Sequence, residues 1–153
     1  MKILEECLRQ DEGEVLEVYL DIKGKPTGGV GHHFYVGSKI PKEVSDILLR
    51  HDIAEKAVNE YYKLPRSYTK HLNKARARVI NCMLFNMRGY RSLIGFKKMW
   101  AAIICRDWAE AKRQMLDSNW AREVGDGPGG RMDRAERLAN IMLTGVWPGE
   151  DLQ

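Results

Sequence analysis

Two carboxylates near the amino end of the chain could supply the pair of carboxyl groups that glycoside hydrolysis requires. Glu12 and Asp21 are nine residues apart, and Thr27 follows six residues after Asp21. In this chemistry one carboxyl group protonates the leaving oxygen while a second, ionised carboxylate stands opposite it. Gly13 and a short apolar segment lie between the two acids, so the chain can fold back and present both to one cleft. The pair alone is weak support, because the chain holds 21 acidic residues and solvent-exposed charges are the ordinary outcome.

The elements around these residues predict an α+β fold. Apolar positions in residues 2–11 follow one helical stripe that ends at Gly13. Short apolar runs between residues 15 and 36, broken by a turn at 23–26, predict a small sheet of two or three strands. This sheet would carry Asp21 and Thr27.

The remainder of the chain predicts helices. Pro41 opens a long amphipathic helix and Pro65 stops it. Later helices begin at two capping boxes and the last stops at Gly145; the boxes are Asp107 with Glu110 and Asp133 with Glu136. The Gly-rich residues 125–130 must form a loop.

We therefore expect one domain over residues 1–153 with two lobes. Residues 12–40 form a small lobe containing the sheet, and residues 41–63 form a connecting helix. Residues 66–153, together with the helix of residues 1–11, form a larger all-helical lobe. The cleft between the lobes is the natural place for a ligand.

Composition narrows the function classes. The chain of 153 residues is 44% hydrophobic and 30% charged, which is typical of a soluble globular domain. It has no apolar run of the ~20 residues that a membrane span needs, and its start lacks the apolar core of a secretory signal. We expect it to stay soluble where it is made.

Its three cysteines lack paired spacing and are expected to be buried free thiols, at Cys7, Cys82 and Cys105.

The charge is distributed unevenly. The net charge is +4, but residues 1–21 hold seven acids against two bases, and residues 63–113 hold thirteen Lys or Arg against two acids. A basic body predicts a polyanionic partner, either nucleic acid or a bacterial envelope. Solvated helix faces are the alternative explanation.

The residues carry a resemblance to a known family. Asp-Glu-Gly at 11–13, Tyr-x-Asp at 19–21 and Thr-x-Gly-x-Gly-His at 27–32 are similar to the catalytic signature of the T-even phage lysozymes, glycoside hydrolase family 24. The resemblance continues in order through the second half, at residues 78–81, 85–87, 95–96, 108–111, 120, 134–137 and 144–147. It implies a lysozyme-like fold.

The resemblance implies a muramidase that hydrolyses the β-1,4 bond between N-acetylmuramic acid and N-acetylglucosamine in peptidoglycan. Glu12 would be the general acid, Asp21 the ionised partner that stabilises the sugar cation or activates water, and Thr27 would help to place that water. No metal or cofactor is implied. His32 and His33 would point to opposite faces of a strand, which argues against a metal site.

Other residues would support or extend this site. By position, Arg134 matches an arginine that contacts the catalytic glutamate, and Arg137 matches one that pairs with Asp11. His32 and Asp52 match a structural pair. The saccharide contacts implied by the resemblance are Phe85, Gln114, His33 and Met99, of which the last three differ in residue type from the family.

Three functions compete at this stage: a hydrolytic lysozyme, a lytic transglycosylase on the same fold, and a non-catalytic basic module that binds cell wall or nucleic acid. Asp21 and Thr27 favour the first, because a transglycosylase needs a single glutamate. The family then implies a monomeric phage endolysin that binds peptidoglycan and the anionic envelope, without nucleic acid or membrane insertion. It would accumulate in the host cytoplasm and reach the periplasm and wall once a holin opens the membrane.

Overall fold

The architecture is α+β, as the sequence predicts. A computed structural model describes residues 2–124 and 133–149, without the side chains of Ile3, Glu12 and Asp133. It contains a three-stranded antiparallel sheet near the amino end, and helices make up most of the rest. The chain divides into two units, Met1–Ser45 and Asp46–Gln153.

Within its described residues, the first unit holds one complete helix, the sheet and the first turn of the next helix. Its elements are α1 (Lys2–Glu12), β1 (Val15–Leu20), β2 (Pro26–Gly29) and β3 (His32–His33). The strands lie in the order β1-β2-β3, and Thr27 on the central strand is paired with Tyr19 on one side and His33 on the other. Paired residues in an antiparallel sheet share a face, so these three side chains lie on the same side of the sheet.

A long helical run follows between the two prolines. It consists of α2 (Lys42–Asp52), a π-helical segment (Ile53–Val58) and α3 (Asn59–Tyr62). The run begins directly after Pro41 and ends before Pro65, as the sequence predicts. The π-helical segment is not predicted: within it the N–H of Asn59 reaches back five residues, to the carbonyl of Ala54.

Every regular element among the described residues of the second unit is a helix. After α3 it contains seven more helices: α4 (Arg66–Thr69), α5 (Lys74–Asn86), α6 (Tyr90–Ile94), α7 (Lys97–Ile104), α8 (Trp108–Leu116), α9 (Asn119–Glu123) and α10 (Asp133–Thr144). Helix α5 is central, because its buried positions Ala75, Val79 and Met83 recur every four residues and pack into one core with α7, α8 and α10. Trp100 on α7 is 1% exposed and donates its ring N–H to the carbonyl of Leu93 at 2.9 Å.

The helix ends agree with the local signals. The Asp107 carboxylate accepts from the N–H of Glu110 at 2.9 Å, which confirms Asp107 as the N-cap of α8. The Glu110 carboxylate binds Arg113 and Gln114 instead of the Asp107 N–H, so the predicted capping box is only half formed. Helix α10 begins at Asp133 and ends before Gly145, whose φ of +71° stops the helix. The side chain of Asp133, and with it the second capping box, lies outside the described part, as do residues 125–130.

The prediction that all three cysteines are buried free thiols was wrong about burial. Cys7 and Cys105 are exposed, and Cys82 is partly buried; all three are free. Cys105 lies just past the last residue of α7, where the chain leaves the core, so its apolar neighbours in sequence do not cover it.

None of the helices in the described ranges has the length and apolar character that crossing a bilayer demands.

Candidate active site

Asp21 is fixed by the turn between β1 and β2. Its Oδ1 accepts from the backbone N–H groups of Lys23 and Lys25, each at 2.8 Å, and its own N–H donates to the carbonyl of Lys25 at 2.9 Å. Gly24, at φ +73°, allows the chain to reverse within this turn. The two backbone N–H groups fix the orientation of the side chain, which is 19% exposed.

The same contacts favour the ionised form of Asp21. The backbone N–H of Lys25 contributes most to holding the pKa of the Asp21 carboxyl below its usual range, and partial burial opposes it. The N–H of Lys23, the His33 imidazole in its protonated form and the Lys25 ammonium lower this pKa further. A carboxylate that must stay charged opposite a developing sugar cation needs this environment.

Thr27 is buried beside this turn. It is 3% exposed, and its hydroxyl donates to the carbonyl of Lys25 at 3.0 Å. Lys25 therefore ties both residues, since its N–H binds Asp21 and its carbonyl binds Thr27. The only hydrogen of the Thr27 hydroxyl is used, so towards a water molecule this oxygen acts as an acceptor.

The two adjacent histidines have different surroundings. The Nε2 atom of His33 lies 3.5 Å from Oδ2 of Asp21, and its Nδ1 lies 2.9 Å from the hydroxyl of Tyr35. The His32 ring instead lies nearly perpendicular to the Phe34 ring, with centroids 5.0 Å apart. No group of three or more His, Cys, Asp or Glu side chains within the described residues has an arrangement that would hold a metal ion.

Glu12 is described only through its backbone. It is the last residue of α1, and the helix closes where the N–H of Gly13 donates to the carbonyl of Arg9 at 3.0 Å. Arg9 pairs with Glu14 just beyond this end. The Glu12 side chain lies outside the described part, so its role as general acid and its contact with Arg134 stay predictions. Asp11, one residue earlier, is exposed and accepts from the thiol of Cys7 at 3.5 Å.

Phe85 and Arg134 line one groove in the second unit. This Phe85 groove has a volume of about 490 Å³, and its walls are mainly apolar; they include Leu49, Ile53, Ala57, Cys82, Phe85, Arg134 and Trp147. Arg134 donates from Nη2 to Oδ1 of Asn86 at 2.7 Å. Burial raises the pKa of the Cys82 thiol, although Arg134 and Arg137 oppose this. An apolar groove with an aromatic ring fits the nonpolar face of a saccharide.

Gln114 and Met99 line a different pocket. It has a volume of about 430 Å³ and also includes Lys98 and Asn119. The Gln114 amide donates to Glu110 at 2.7 Å, while Met99 is 1% exposed and belongs to the core. The structure thus brings Gln114 and Met99 together and gives Phe85 a separate groove.

The supporting residue Asp52 has partners of its own in the second unit. Its carboxylate lies 2.9 Å from Nζ of Lys56, one turn later, and 3.9 Å from Nδ1 of His51. Arg137 is exposed on α10. The pairs of Asp52 with His32 and of Arg137 with Asp11 stay predictions.

Sequence reasoning missed two residues beside the predicted ones. Tyr35 contacts His33 and Asn86 contacts Arg134, yet neither was singled out. The signal for Tyr35 was its spacing of two from His33, which puts both on one side of an extended chain. Asn86 adjoins Phe85, but only the helix geometry shows that its amide meets Arg134.

Comparison with known proteins supports the resemblance. The chain is 27% identical to "Probable T4-type lysozyme 1" of Dictyostelium discoideum, covering 94% of this chain and 95% of that protein. "Probable T4-type lysozyme 2" of the same organism is 26% identical with the same coverage. The pre-baseplate central spike protein Gp5 of Enterobacteria phage T4 is 27% identical over 92% of this chain, which spans 27% of that longer protein. No family model matches the chain. The similarity to T4-type lysozymes inferred from the catalytic signature is confirmed over nearly the whole sequence.

Proposed function

We propose that this protein is a muramidase that hydrolyses the β-1,4 bond between N-acetylmuramic acid and N-acetylglucosamine in bacterial peptidoglycan. Its similarity to T4-type lysozymes supports a muramidase-like glycosidase. The observation that carries the finer proposal is the geometry of Asp21, an ionised carboxylate fixed by two backbone N–H groups and tied through Lys25 to the buried Thr27.

The two oxygens of Asp21 have separate tasks in this proposal. Oδ1 is saturated by the turn, so it anchors the side chain, and Oδ2 faces the reacting sugar or the attacking water. Thr27 accepts a hydrogen bond from that water, because its own hydrogen is bound to Lys25. A water oriented by two acceptors presents its oxygen to the anomeric carbon. This arrangement supports direct attack by water, with inversion at the anomeric carbon.

Glu12 supplies the proton to the leaving oxygen. A glutamic acid in that role must hold its proton near neutral pH, whereas Asp21 must not. Arg134 and Arg137 orient the acidic end of α1 in this proposal, and His32 with Asp52 forms a structural pair. Phe85, Gln114 and His33 contact the saccharide, whereas Met99, at 1% exposure, packs in the core and does not.

The decisive experiment compares the full-length protein with Glu12→Gln and Asp21→Asn on purified peptidoglycan, scoring the reducing ends released. Glu6→Gln is the matched control, because Glu6 is an exposed acid on the same helix. We expect both site variants to lose nearly all turnover while the control keeps it. Full activity in Glu12→Gln would refute the proposed mechanism.

The same digest tests the competing functions. Mass spectra of the products should show hydrolysed reducing ends. Ends carrying a 1,6-anhydro bond would instead identify a lytic transglycosylase, and binding without any cleavage would identify a non-catalytic module.

We propose, further, that the enzyme is a phage endolysin acting in host-cell lysis. As a monomer without a cofactor, it would accumulate in the host cytoplasm and reach the periplasm and wall through a lesion made by a holin. A sequence pI near 9.0 supports attraction to the anionic envelope rather than insertion into a membrane. Expression in a bacterial host with and without a holin tests this role, and lysis that needs no membrane lesion would refute it. Lysis that does not weaken as salt is raised would refute the electrostatic attraction.

A further inference from the structure

A line of three polar side chains ends at the free oxygen of Asp21. The Tyr35 hydroxyl lies 2.9 Å from Nδ1 of His33, and Nε2 of His33 lies 3.5 Å from Oδ2 of Asp21. The other carboxylate oxygen, Oδ1, is bound by the turn. His33 therefore meets the one oxygen that the backbone leaves free.

The fold specifies this line. His33 on β3 pairs with Thr27 on β2, and the N–H of Phe34 donates to the carbonyl of Pro26 at 2.8 Å, which holds the chain just beyond β3 against the start of β2. Tyr35 is two residues after His33, so the ring and the hydroxyl come to the same side, with ring centroids 5.8 Å apart. The strand register thus brings the imidazole to the turn that holds Asp21.

We propose that His33 is a positioning residue for Asp21, whose imidazolium holds Oδ2 in place and keeps the carboxylate ionised as the solution becomes acidic. The inference rests on the proposed muramidase function, in which Asp21 must be charged. His33 would then extend muramidase activity to lower pH. This role differs from the saccharide contact that the resemblance implies for the same position.

The charges around His33 fit this role. The groups that face it are the Asp21 carboxylate, the Tyr35 hydroxyl and, from the turn, Lys25, whose Nζ lies 5.9 Å from the Tyr35 ring centroid. Tyr19 is two strands away on the same face. Asp21 is the only carboxylate whose contact with His33 the described residues show. Histidine changes its charge between about pH 5 and 8, so below that range a cation next to Oδ2 opposes protonation of Asp21.

Exposure limits the size of the effect. His33 is 38% exposed and Asp21 is 19% exposed, so water screens their attraction. We expect removal of the imidazole to change the acidic side of the pH profile by a small factor and to leave the fold intact. A residue needed only for folding would instead lower activity equally at every pH.

The test compares wild type with His33→Gln and His33→Lys. His33→Gln keeps a polar side chain without the cation, and His33→Lys keeps a cation throughout. His51→Gln is the matched control, because it removes an exposed histidine next to an aspartate, 3.9 Å away on helix α2. The readouts are kcat/KM on peptidoglycan from pH 4 to 8, the melting temperature, and the ¹³C resonance of the Asp21 carboxyl titrated by NMR.

For His33→Gln we expect kcat/KM relative to wild type to fall by up to about twofold at pH 4 and to match wild type at pH 7.5, because the backbone N–H groups still account for most of the lowering of the Asp21 pKa. The Asp21 carboxyl should titrate at a higher pH than in wild type. His33→Lys should restore both properties, and His51→Gln should match wild type. An unchanged profile and an unchanged Asp21 titration in His33→Gln would overturn the inference, as would a uniform loss at all pH values.

The outcomes for His33 and for the proposed function can be told apart. If wild type cleaves peptidoglycan and His33→Gln behaves like wild type, the muramidase stands and the role of His33 falls. If wild type does not cleave peptidoglycan, the proposed function and the catalytic use of His33 fall together. The NMR titration then still decides whether His33 acts on Asp21. If His33→Gln does not fold, Tyr35→Phe removes the hydroxyl on Nδ1 and takes its place in the same comparison.

Discussion

The guanidinium of Arg76 lies over the Trp108 ring, with 3.7 Å between Cζ and the ring centroid. From that position its Nε donates to the carbonyl of Met142 at 2.8 Å and its Nη2 to the carbonyl of Leu143 at 3.1 Å. These carbonyls belong to the last turn of α10, where a helix has no backbone donors of its own. One side chain of α5 therefore caps α10 and stacks on α8.

Replacing Arg76 with Met should destabilise the protein by about 2–3 kcal/mol, because two hydrogen bonds to helix carbonyls and a cation–π contact are lost. Arg76→Lys is the informative control: it keeps a cation but not the planar fork, so it should recover only part of the loss. Urea unfolding measures both. A Lys variant as stable as wild type would show that charge alone matters.

Gly145→Ala should be destabilising for two separate reasons. The residue has φ +71°, and a Cβ there would lie 2.7 Å from Cζ of Arg76. Gly37 is the matched control, since it has φ +89° with nothing within 4 Å of the added carbon. We expect Gly37→Ala to show the backbone cost alone, about 1–2 kcal/mol, and Gly145→Ala to exceed it. Equal losses in thermal unfolding would mean that the Arg76 guanidinium moves aside freely.

Glu60 should give stability a dependence on pH. Its Oε2 accepts from the N–H of Tyr90 at 2.6 Å, and Oε1 pairs with Lys63; the Lys63 contact contributes most to holding the pKa of Glu60 below its usual range. Because the folded pKa is lowered, this stabilisation is present above the unfolded pKa of about 4.3 and is lost as pH falls through the folded pKa.

Glu60→Gln should therefore be less stable than wild type at pH 7, with a free energy of unfolding lower by about 1–2 kcal/mol. This difference should shrink at pH 3. Glu43→Gln, at an exposed position on α2, should match wild type at both pH values. If the loss of unfolding free energy in Glu60→Gln were the same from pH 7 to pH 3, the ionised carboxylate of Glu60 would not be the source of the stabilisation.

Thr27→Val tests the proposed water-binding hydroxyl. Val has nearly the same shape, so the buried site stays filled, but the carbonyl of Lys25 loses its donor and the attacking water loses its acceptor. We expect kcat to fall about 100-fold, in the range found when one preorganised hydrogen-bonding group is removed. Thr27→Ser keeps the hydroxyl and should remain active. Equal rates for the Val and Ser variants would remove Thr27 from the mechanism.

Local signals in the sequence were enough to predict most elements. Pro41 and Pro65 delimit the long helical run, and the capping acceptor Asp107 marks the start of α8, because these residues act on backbone groups only a few positions away. The π-helical segment escaped prediction, since an apolar stripe read with a period of 3.6 does not reveal one extra residue in a turn.

The candidate site was predictable in part. The types and spacing of Glu12, Asp21 and Thr27 suggested the chemistry, and the hairpin that carries the last two was expected. The contact of His33 with Asp21 was not, because it depends on the register between β2 and β3 and on how the turn orients the carboxylate. The exposure of Cys7 was missed because a helical stripe does not say what covers it.

Deleting one residue from Ile53–Val58 would turn this stretch into an ordinary α-helix without breaking it. Every side chain on the amino-terminal side would then swing by about 100° relative to those that follow. Leu49 would leave the wall that it shares with Ala57 and Phe85. The number of residues in this wide turn therefore determines part of the groove's shape. A change in its length would alter the aromatic wall of the groove, whereas a loop could accommodate such a change.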